Sequence, residues 1–271
     1  MEKFKVLILG LFVAMAFVDA ISVGAITVTP DDDAAPGIQV NPVAGITKQI
    51  NATATVTELS GYANINQTAG NATCSWSYPN ETVLYTTNVA WTNCDGTTCD
   101  ATCSADFQFY DDPTDYNVTL TAYNTTDSSS SNSSIFTYAE LVAFNLGFST
   151  INFGASFAPG TGQGTSNKTE TVTNLGNVMI DIIVNGTVMS HASLAPSIPV
   201  GSLYYDITSN AMGSETALSA VATTVSLFDL IKGASSTKDS WWDLHVPAGS
   251  AQWVPAGTYS GTITISAVKS T

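Results

Sequence analysis

Short runs in which apolar and polar residues alternate recur along almost the whole chain, and this pattern most limits the folds open to it. The runs are rich in Thr, Val, Ile and Tyr and are separated by Gly, Pro, Asn and Asp, whereas apolar residues at helical spacing are almost absent. The alternation is strict in Tyr116–Tyr123, where it places positions 116, 118, 120 and 122 on one face of a strand. Ala217–Ile231 also fits a helix, but Val and Thr dominate it and favour a strand. The chain is therefore predicted to be all-β.

The strand pattern and the charge divide the 271 residues into two predicted β-sandwiches in tandem, 26–142 and 143–271. Residues 26–140 carry 13 acids and one Lys, whereas residues 141–271 carry seven acids and four Lys. The Ser-rich run Asp127–Ser134 has the composition of a linker. We interpret it as a hairpin loop, because Ile135–Tyr138 would supply the last strand of the first sandwich.

The first 25 residues have the three parts of a secretory signal peptide. Lys3 and Lys5 precede an apolar run of 13 residues, Val6–Val18, which is shorter than the roughly 20 residues that a membrane-spanning helix needs. Small residues place cleavage after Ala20 or Ala25, and we expect Ala25 because a strand pattern begins at Ile26. The alternative is an uncleaved anchor. No later segment is apolar for 18 residues, so the mature chain is predicted to be secreted to the cell surface without a transmembrane anchor.

The four cysteines lie within 30 residues of one another, which in an exported protein indicates two disulfides. Four cysteines allow three pairings. Cys94 and Cys99 flank a turn and can form a local bridge, which leaves Cys74 to reach Cys103. A zinc ion held by the four thiolates is the alternative.

Nine Asn-x-Ser/Thr sequons are candidate glycosylation sites, about twice the number that chance gives for this composition. Seven of them precede residue 140, so a glycan coat is expected on the first half. The candidates are Asn51, Asn66, Asn71, Asn80, Asn117, Asn124, Asn132, Asn167 and Asn185.

Charge and histidine content exclude several function classes. The net charge is −15 and the chain contains no Arg, so it lacks the basic surface that nucleic acid requires. His191 and His245 are the only histidines, and no Gly-x-Ser-x-Gly motif occurs. We therefore predict no catalytic residues and no enzymatic activity.

Segments in both halves of the chain resemble known families. The Phe107–Asn124 segment, which ends in Tyr-Asn-Val-Thr-Leu-Thr-Ala-Tyr-Asn, is similar to the final strands of polycystic-kidney-disease-type (PKD-like) and related immunoglobulin-like domains. The Trp-Asp-Phe-Gly-Asp-Gly motif of the former is absent, so the resemblance implies immunoglobulin-like topology only. Thr171–Val178, Asp181–Val184 and Pro255–Ile265 resemble β-sandwich domains of secreted archaeal and bacterial surface proteins. That resemblance implies an adhesive, scaffolding or coat-forming role.

Carboxylates in predicted turns form a candidate calcium site, because Ca²⁺ prefers oxygen ligands from loops. The residues are Asp31–Asp33 near the mature start and Asp111, Asp112 and Asp115. The alternative is that these Asp residues only initiate turns and solvate the surface. No other cofactor is predicted.

The Trp241–Trp242 pair is a candidate ligand or interface site. Neighbouring residues on a strand face opposite ways, so one ring should enter the core and the other should face outward. The outward ring would serve as a sugar platform or an interface anchor, or would be covered by a loop that carries Trp253.

Together these features predict a glycosylated, non-catalytic structural protein of the cell surface, either an envelope coat or a filament subunit of archaeal type. Its expected partners are further copies of itself or other envelope proteins. Ile26–Val40 could add to an open sheet edge of a neighbouring copy. The alternative is a carbohydrate-binding or adhesion module that uses the exposed Trp.

Overall fold

The structure, a computed structural model, describes residues 20–33, 36–154, 158, 160, 168–208, 215–247 and 254–271. Apart from two short 3-10 turns at Tyr62–Asn64 and Val200–Ser202, the regular elements of these residues are all β-strands. The all-β prediction is therefore confirmed. None of the described helical segments is long and apolar enough to cross a membrane.

The first ten strands form two sheets of five strands each, packed face to face as the first sandwich. The strands are β1 (Ile21–Val23), β2 (Thr27–Thr29), β3 (Ile38–Val40), β4 (Lys48–Glu58), β5 (Thr73–Ser77), β6 (Val83–Asn88), β7 (Ala90–Asp95), β8 (Thr98–Phe107), β9 (Asp115–Tyr123) and β10 (Ser129–Tyr138). One sheet has the order β1-β4-β8-β7, with β2 also paired to β4. The other has the order β3-β10-β9-β5-β6, in which only β3 and β10 are parallel.

This topology is that of an immunoglobulin-like domain, and three local features agree with it. Trp76 on β5 is fully buried and packs edge-on against Phe107 and Phe136. The Tyr116 hydroxyl at the start of β9 donates to the Asp112 carbonyl (2.9 Å), which is the tyrosine corner of such domains. A disulfide joins the two sheets, although it links β5 and β8 rather than the strands that carry the disulfide of antibody domains.

Three expectations about the first sandwich need correction. Strand β1 pairs with β4 upstream of Ile26, so the sandwich begins before residue 26. The Ser-rich run is not a loop, because Ser129–Tyr138 pairs with β9 and leaves only 124–128 as the turn. Small hydroxyl side chains tolerate this exposed strand position without adding apolar surface. Ile26–Val40 is not free to add to the sheet edge of a neighbouring copy, since β2 and β3 already pair with strands of their own sandwich.

The remaining strands form the second sandwich. They are β11 (Phe144–Leu146), β12 (Lys168–Asn174), β13 (Ile180–Gly186), β14 (Met189–His191), β15 (Ser197–Ile198), β16 (Leu203–Asp206), β17 (Thr216–Ala217), β18 (Thr223–Leu230), β19 (Thr237–Leu244), β20 (Tyr259–Ser260) and β21 (Ile263–Lys269). A five-stranded sheet, β11-β12-β19-β16-β17, faces two three-stranded sheets, β18-β13-β21 and β15-β14-β20. The ambiguous Ala217–Ile231 segment contains β18, so the strand interpretation is confirmed over 223–230.

The buried apolar side chains form two separate clusters, one for each sandwich. In the first, residues 50, 52, 54 and 56 of β4 alternate inward while Thr and Asn side chains alternate outward. In the second, Trp242 and Phe228 are fully buried at the centre. Each sandwich therefore has its own hydrophobic core.

Candidate functional site

The connection between the two sandwiches is held by an Asn-Leu-Gly-Asn turn, residues 174–177, which the sequence showed only as part of a resemblance. The Asn177 side chain is 1% exposed and binds the connecting segment at two points. Its amide nitrogen donates to the Ala139 carbonyl (2.8 Å), and its amide oxygen accepts from Leu141 N–H (2.7 Å). Asn177 N–H also donates to the Leu141 carbonyl (3.1 Å). One side chain thus fixes the path of the connection.

Gly176 lets the turn approach the connecting segment closely. A Cβ atom at this position would lie 2.2 Å from the Leu141 carbonyl oxygen, which is backbone and cannot swing away. Asn174 shapes the same turn, since its side-chain oxygen accepts from Gly176 N–H (2.9 Å) and its nitrogen donates to the Val178 carbonyl (2.8 Å). Asn174, Gly176 and Asn177 are therefore the residues of the turn that shape this junction.

Further contacts tie the two sandwiches together. Gly45 N–H of the first donates to the Leu175 carbonyl of the second (3.1 Å). The Lys232 ammonium forms an ion pair with the Asp112 carboxylate across the junction, and Lys269 pairs with Glu140 of the connecting segment. Exposed ion pairs contribute little each, so the buried amide contacts provide most of the restraint.

Both predicted disulfides are present. Cys74 and Cys103 are buried in the core of the first sandwich, with Cα atoms 6.2 Å apart. Cys94 and Cys99 close the turn between β7 and β8. All four cysteines are thus oxidised and the zinc alternative does not apply to them.

The nine sequons differ in exposure, and Asn124 has to be corrected. Asn124 is 1% exposed, its side-chain nitrogen donates to the Glu58 carboxylate (3.3 Å), and its oxygen caps the turn after β9. A glycan cannot be attached there without unfolding this end of the sandwich. Asn167 lies outside the described residues. The other seven are exposed or partly exposed and stay predictions: Asn51, Asn66, Asn71, Asn80, Asn117, Asn132 and Asn185.

The predicted calcium ligands Asp111, Asp112 and Asp115 do not converge. The Asp111 carboxylate accepts from the Tyr85 hydroxyl (2.8 Å), Asp112 pairs with Lys232, and Asp115 accepts from the Thr137 hydroxyl (2.6 Å). Among the described residues they form no group of three neighbouring ligand atoms. These carboxylates hold local structure, and the predicted calcium site is not assembled.

The carboxylates near the start of the first sandwich also bind protein partners. Asp31 accepts from Gln39 N–H (3.1 Å), while Asp32 accepts from Asn41 N–H (2.8 Å) and pairs with Lys48. Partial burial acts to raise the pKa of Asp32, but the hydrogen bonds from Lys48 and Asn41 outweigh it and hold the pKa below its usual value. Asp31 therefore joins the segment before β3 to β3 itself, and Asp32 joins it to the residue after β3 and to the start of β4.

The Trp pair is divided between the two faces of β19 as its alternation predicts. Trp242 is fully buried, and its indole N–H donates to the Ser240 hydroxyl (2.9 Å). Trp242 is therefore unavailable to a ligand. Trp241 is partly exposed on the outer face, and Trp253 lies outside the described residues. The sequence pattern that identifies Trp242 as the inward ring is the alternation after it: residues 242, 244 and 246 are apolar, whereas residues 243 and 245 are polar.

A cavity of about 1090 Å³ lies between the sheets of the second sandwich, and no sequence pattern predicts it. The five-stranded sheet contributes Leu203 and Leu244 to its wall, and the facing sheets contribute Met189 and Ile263. Glu170 also lines it, is 1% exposed, and accepts a hydrogen bond from Phe148 N–H (2.9 Å). The carboxylate thus anchors the segment after β11.

No model of a known protein family and no curated protein sequence matches the chain. Solved structures similar to it include the secreted serine protease VesC from Vibrio cholerae (13% identity, TM-score 0.23, covering 86% of this chain and 49% of VesC). Another is the C-terminal domain of the AgI/II polypeptide BspA from Streptococcus agalactiae (11% identity, TM-score 0.24, covering 93% of this chain and 98% of that domain). A titin fragment is also similar (12% identity, TM-score 0.26, covering 85% of this chain and 92% of the fragment).

The chain spans about half the length of VesC. TM-scores of 0.23 to 0.26 identify no shared family.

Proposed function

We propose that the protein is a structural subunit of an extracellular surface layer or filament, made of two β-sandwiches that act as one rigid unit. The observation that carries the proposal is the junction at residues 174–177. Tandem domains joined by a free linker move relative to each other by default. Here the connecting segment is hydrogen-bonded to a buried Asn177 and lies against Gly176. A repeating assembly needs subunits of fixed shape, and this junction would fix the arrangement of the two sandwiches in each subunit.

The chemistry of the surface supports an extracellular location. Two disulfides are typical of proteins that mature outside a reducing cytosol. Seven described sequons are exposed or partly exposed and would carry glycans. The expected partners are further copies of this chain or other envelope proteins, and a net charge of −15 disfavours nucleic acid.

The test is assembly of the purified mature protein, followed by negative-stain electron microscopy and small-angle X-ray scattering. The wild type is expected to form filaments or a lattice and, when dispersed, to scatter as a single rigid particle. Gly176→Ala should push the connecting segment away, increase the radius of gyration and reduce assembly. Gly201→Ala is the matched control, because its Cβ would lie 4.0 Å from the nearest atom. Wild-type protein that stays monomeric under all conditions contradicts the proposal.

A carbohydrate-binding or adhesion module is the second candidate, and the partly exposed Trp241 ring favours it. Binding to a glycan array that is lost in Trp241→Ala would support this candidate. Trp242→Ala is unsuitable for that test, because it removes a core side chain and destabilises the fold.

A further inference from the structure

Three metal-ligating side chains meet on the outer face of the five-stranded sheet, away from the junction. Asp243 and His245 are two residues apart along β19 and its extension, so both side chains leave the same face. Tyr204 on β16 pairs with Asp243, and Ala217 on β17 pairs with Tyr204, which brings Glu215 to that face as well. Register across three strands therefore places Glu215, Asp243 and His245 together.

The distances fit one metal ion. One ligand atom from each of the three residues lies within 4.8 Å of the other two. The His245 Nε2 and Asp243 Oδ2 atoms are 3.5 Å apart. Ligands of a tetrahedral zinc ion at about 2.0–2.1 Å are separated by about 3.3 Å, so small side-chain shifts would complete the site.

The buried polar atoms of this group are a second, independent observation. Asp243 is 0% exposed; its Oδ1 accepts from Leu244 N–H (3.0 Å), but its Oδ2 has no hydrogen-bond partner. The Nε2 atom of His245 is also buried without a hydrogen-bond partner. A buried carboxylate oxygen left in this state destabilises a fold unless a cation or a donor binds it.

The imidazole is already held in place. His245 stacks on the Tyr204 ring, with centroids 4.2 Å apart, and its backbone N–H donates to the Ser202 carbonyl (2.8 Å). Ligands fixed before the ion arrives lose little conformational freedom on binding.

We propose that Glu215, Asp243 and His245 bind one divalent transition-metal ion of the zinc class. Calcium and magnesium take oxygen ligands, whereas an imidazole with two carboxylates suits zinc. Three protein ligands leave a fourth position for water. The ion would link the segment before β17 to β19 and neutralise the buried Asp243 oxygen.

The test uses full-length mature protein without a histidine tag, freed of metal by chelation. Zinc is titrated by calorimetry, and the Tm is measured with zinc or with chelator. Wild type should bind one equivalent and show a higher Tm with zinc, because the ion binds only the folded state. The four cysteines are in disulfides and do not compete for the ion.

Asp243→Asn keeps the oxygen that accepts from Leu244 and removes the charge. It should weaken zinc binding about tenfold or more and leave the metal-free Tm unchanged or higher, since the buried charge is gone. His245→Gln should weaken zinc binding similarly. Asp239→Asn, on the same strand and face but outside the group, is the matched control and should bind as wild type does.

No stoichiometric zinc binding by wild type would overturn the proposal. So would Asp243→Asn and His245→Gln variants that bind zinc as tightly as wild type, because the ion would then lie on other surface groups. If one variant fails to fold, the other decides.

Discussion

Three tyrosine hydroxyls of the first sandwich are partly buried and donate to hydrogen-bond acceptors. The Tyr85 hydroxyl donates to Asp111, that of Tyr116 to the Asp112 carbonyl, and that of Tyr138 to the Gln108 carbonyl (3.2 Å). Burial raises the pKa of all three above its usual value, and the negative charge of Asp111 raises it further. The neutral phenols are therefore part of the folded state.

These shifts predict alkaline unfolding. A raised pKa means that the folded state holds its protons more tightly than the unfolded chain, so this stability is complete below the unfolded pKa of about 10 and is lost as pH rises above it. Tyrosinate absorbance and circular dichroism should be recorded together from about pH 9 to about pH 13, a range that brackets the tyrosine pKa of the unfolded chain. Part of the absorbance change should coincide with loss of the β signal. Ionisation of all ten tyrosines before any loss of structure would contradict this.

Single residues differ in how far the sequence predicts their role. The alternation in β19 predicts that the two Trp rings face opposite ways, and it places residues 241, 243 and 245 on one face. The position of Glu215 beside them depends on the register of β16 with β17 and with β19, which no local sequence pattern predicts. The burial of Asn124 likewise follows from a distant partner, Glu58.

The two disulfides close loops of different length. Loop entropy predicts that Cys74–Cys103, with a separation of 29 residues, stabilises the fold by about 3.5 kcal/mol, and Cys94–Cys99, with a separation of 5, by about 2 kcal/mol. Replacing the first pair by Ala should therefore lower the free energy of unfolding more than replacing the second. Urea denaturation of the two double variants measures the difference. Equal losses would show that loop length does not decide the contribution.

Strand β1 predicts where the mature chain begins. Val23 is 8% exposed, Gly24 N–H donates to the Thr55 carbonyl (2.9 Å), and the Asn132 side chain donates to the Gly24 carbonyl (2.9 Å). Cleavage after Ala25 would remove these contacts, so we expect processing after Ala20 instead. Mass spectrometry of the secreted protein should give Ile21 as its first residue, and a chain that starts at Ile26 would contradict this.

Element boundaries show which parts of the fold the sequence predicts. Strict alternation predicts β9, and the Cys spacing predicts the turn between β7 and β8. The Ser-rich run Asp127–Ser134 is interpreted as a hairpin loop because Ile135–Tyr138 would supply the last strand, but the pairing of Ser129–Ser134 with β9 makes most of the run a strand. Carboxylates close in sequence, such as Asp111 and Asp112, point to different partners because turns orient neighbouring side chains apart.

The sequence pattern predicts two all-β units, and the hydrogen bonds of Asn177 at the junction join them into one rigid body. No pattern in the sequence indicates that the Asn177 side chain forms hydrogen bonds with the backbone of the connecting segment, since its partners lie 36 and 38 residues away. The fixed junction, the disulfides and the acidic, sequon-rich surface together support a structural subunit outside the cell. Such a subunit needs a constant shape more than a reactive site.

Electron cryotomography of intact cells, with an antibody against the second sandwich, tests whether the protein is a rigid subunit of a repeating surface assembly. Label is expected on the cell surface at a regular repeat, and the averaged repeat should contain two adjoining lobes in one fixed arrangement. Label scattered without a repeat, or confined to the interior of the cell, would contradict it.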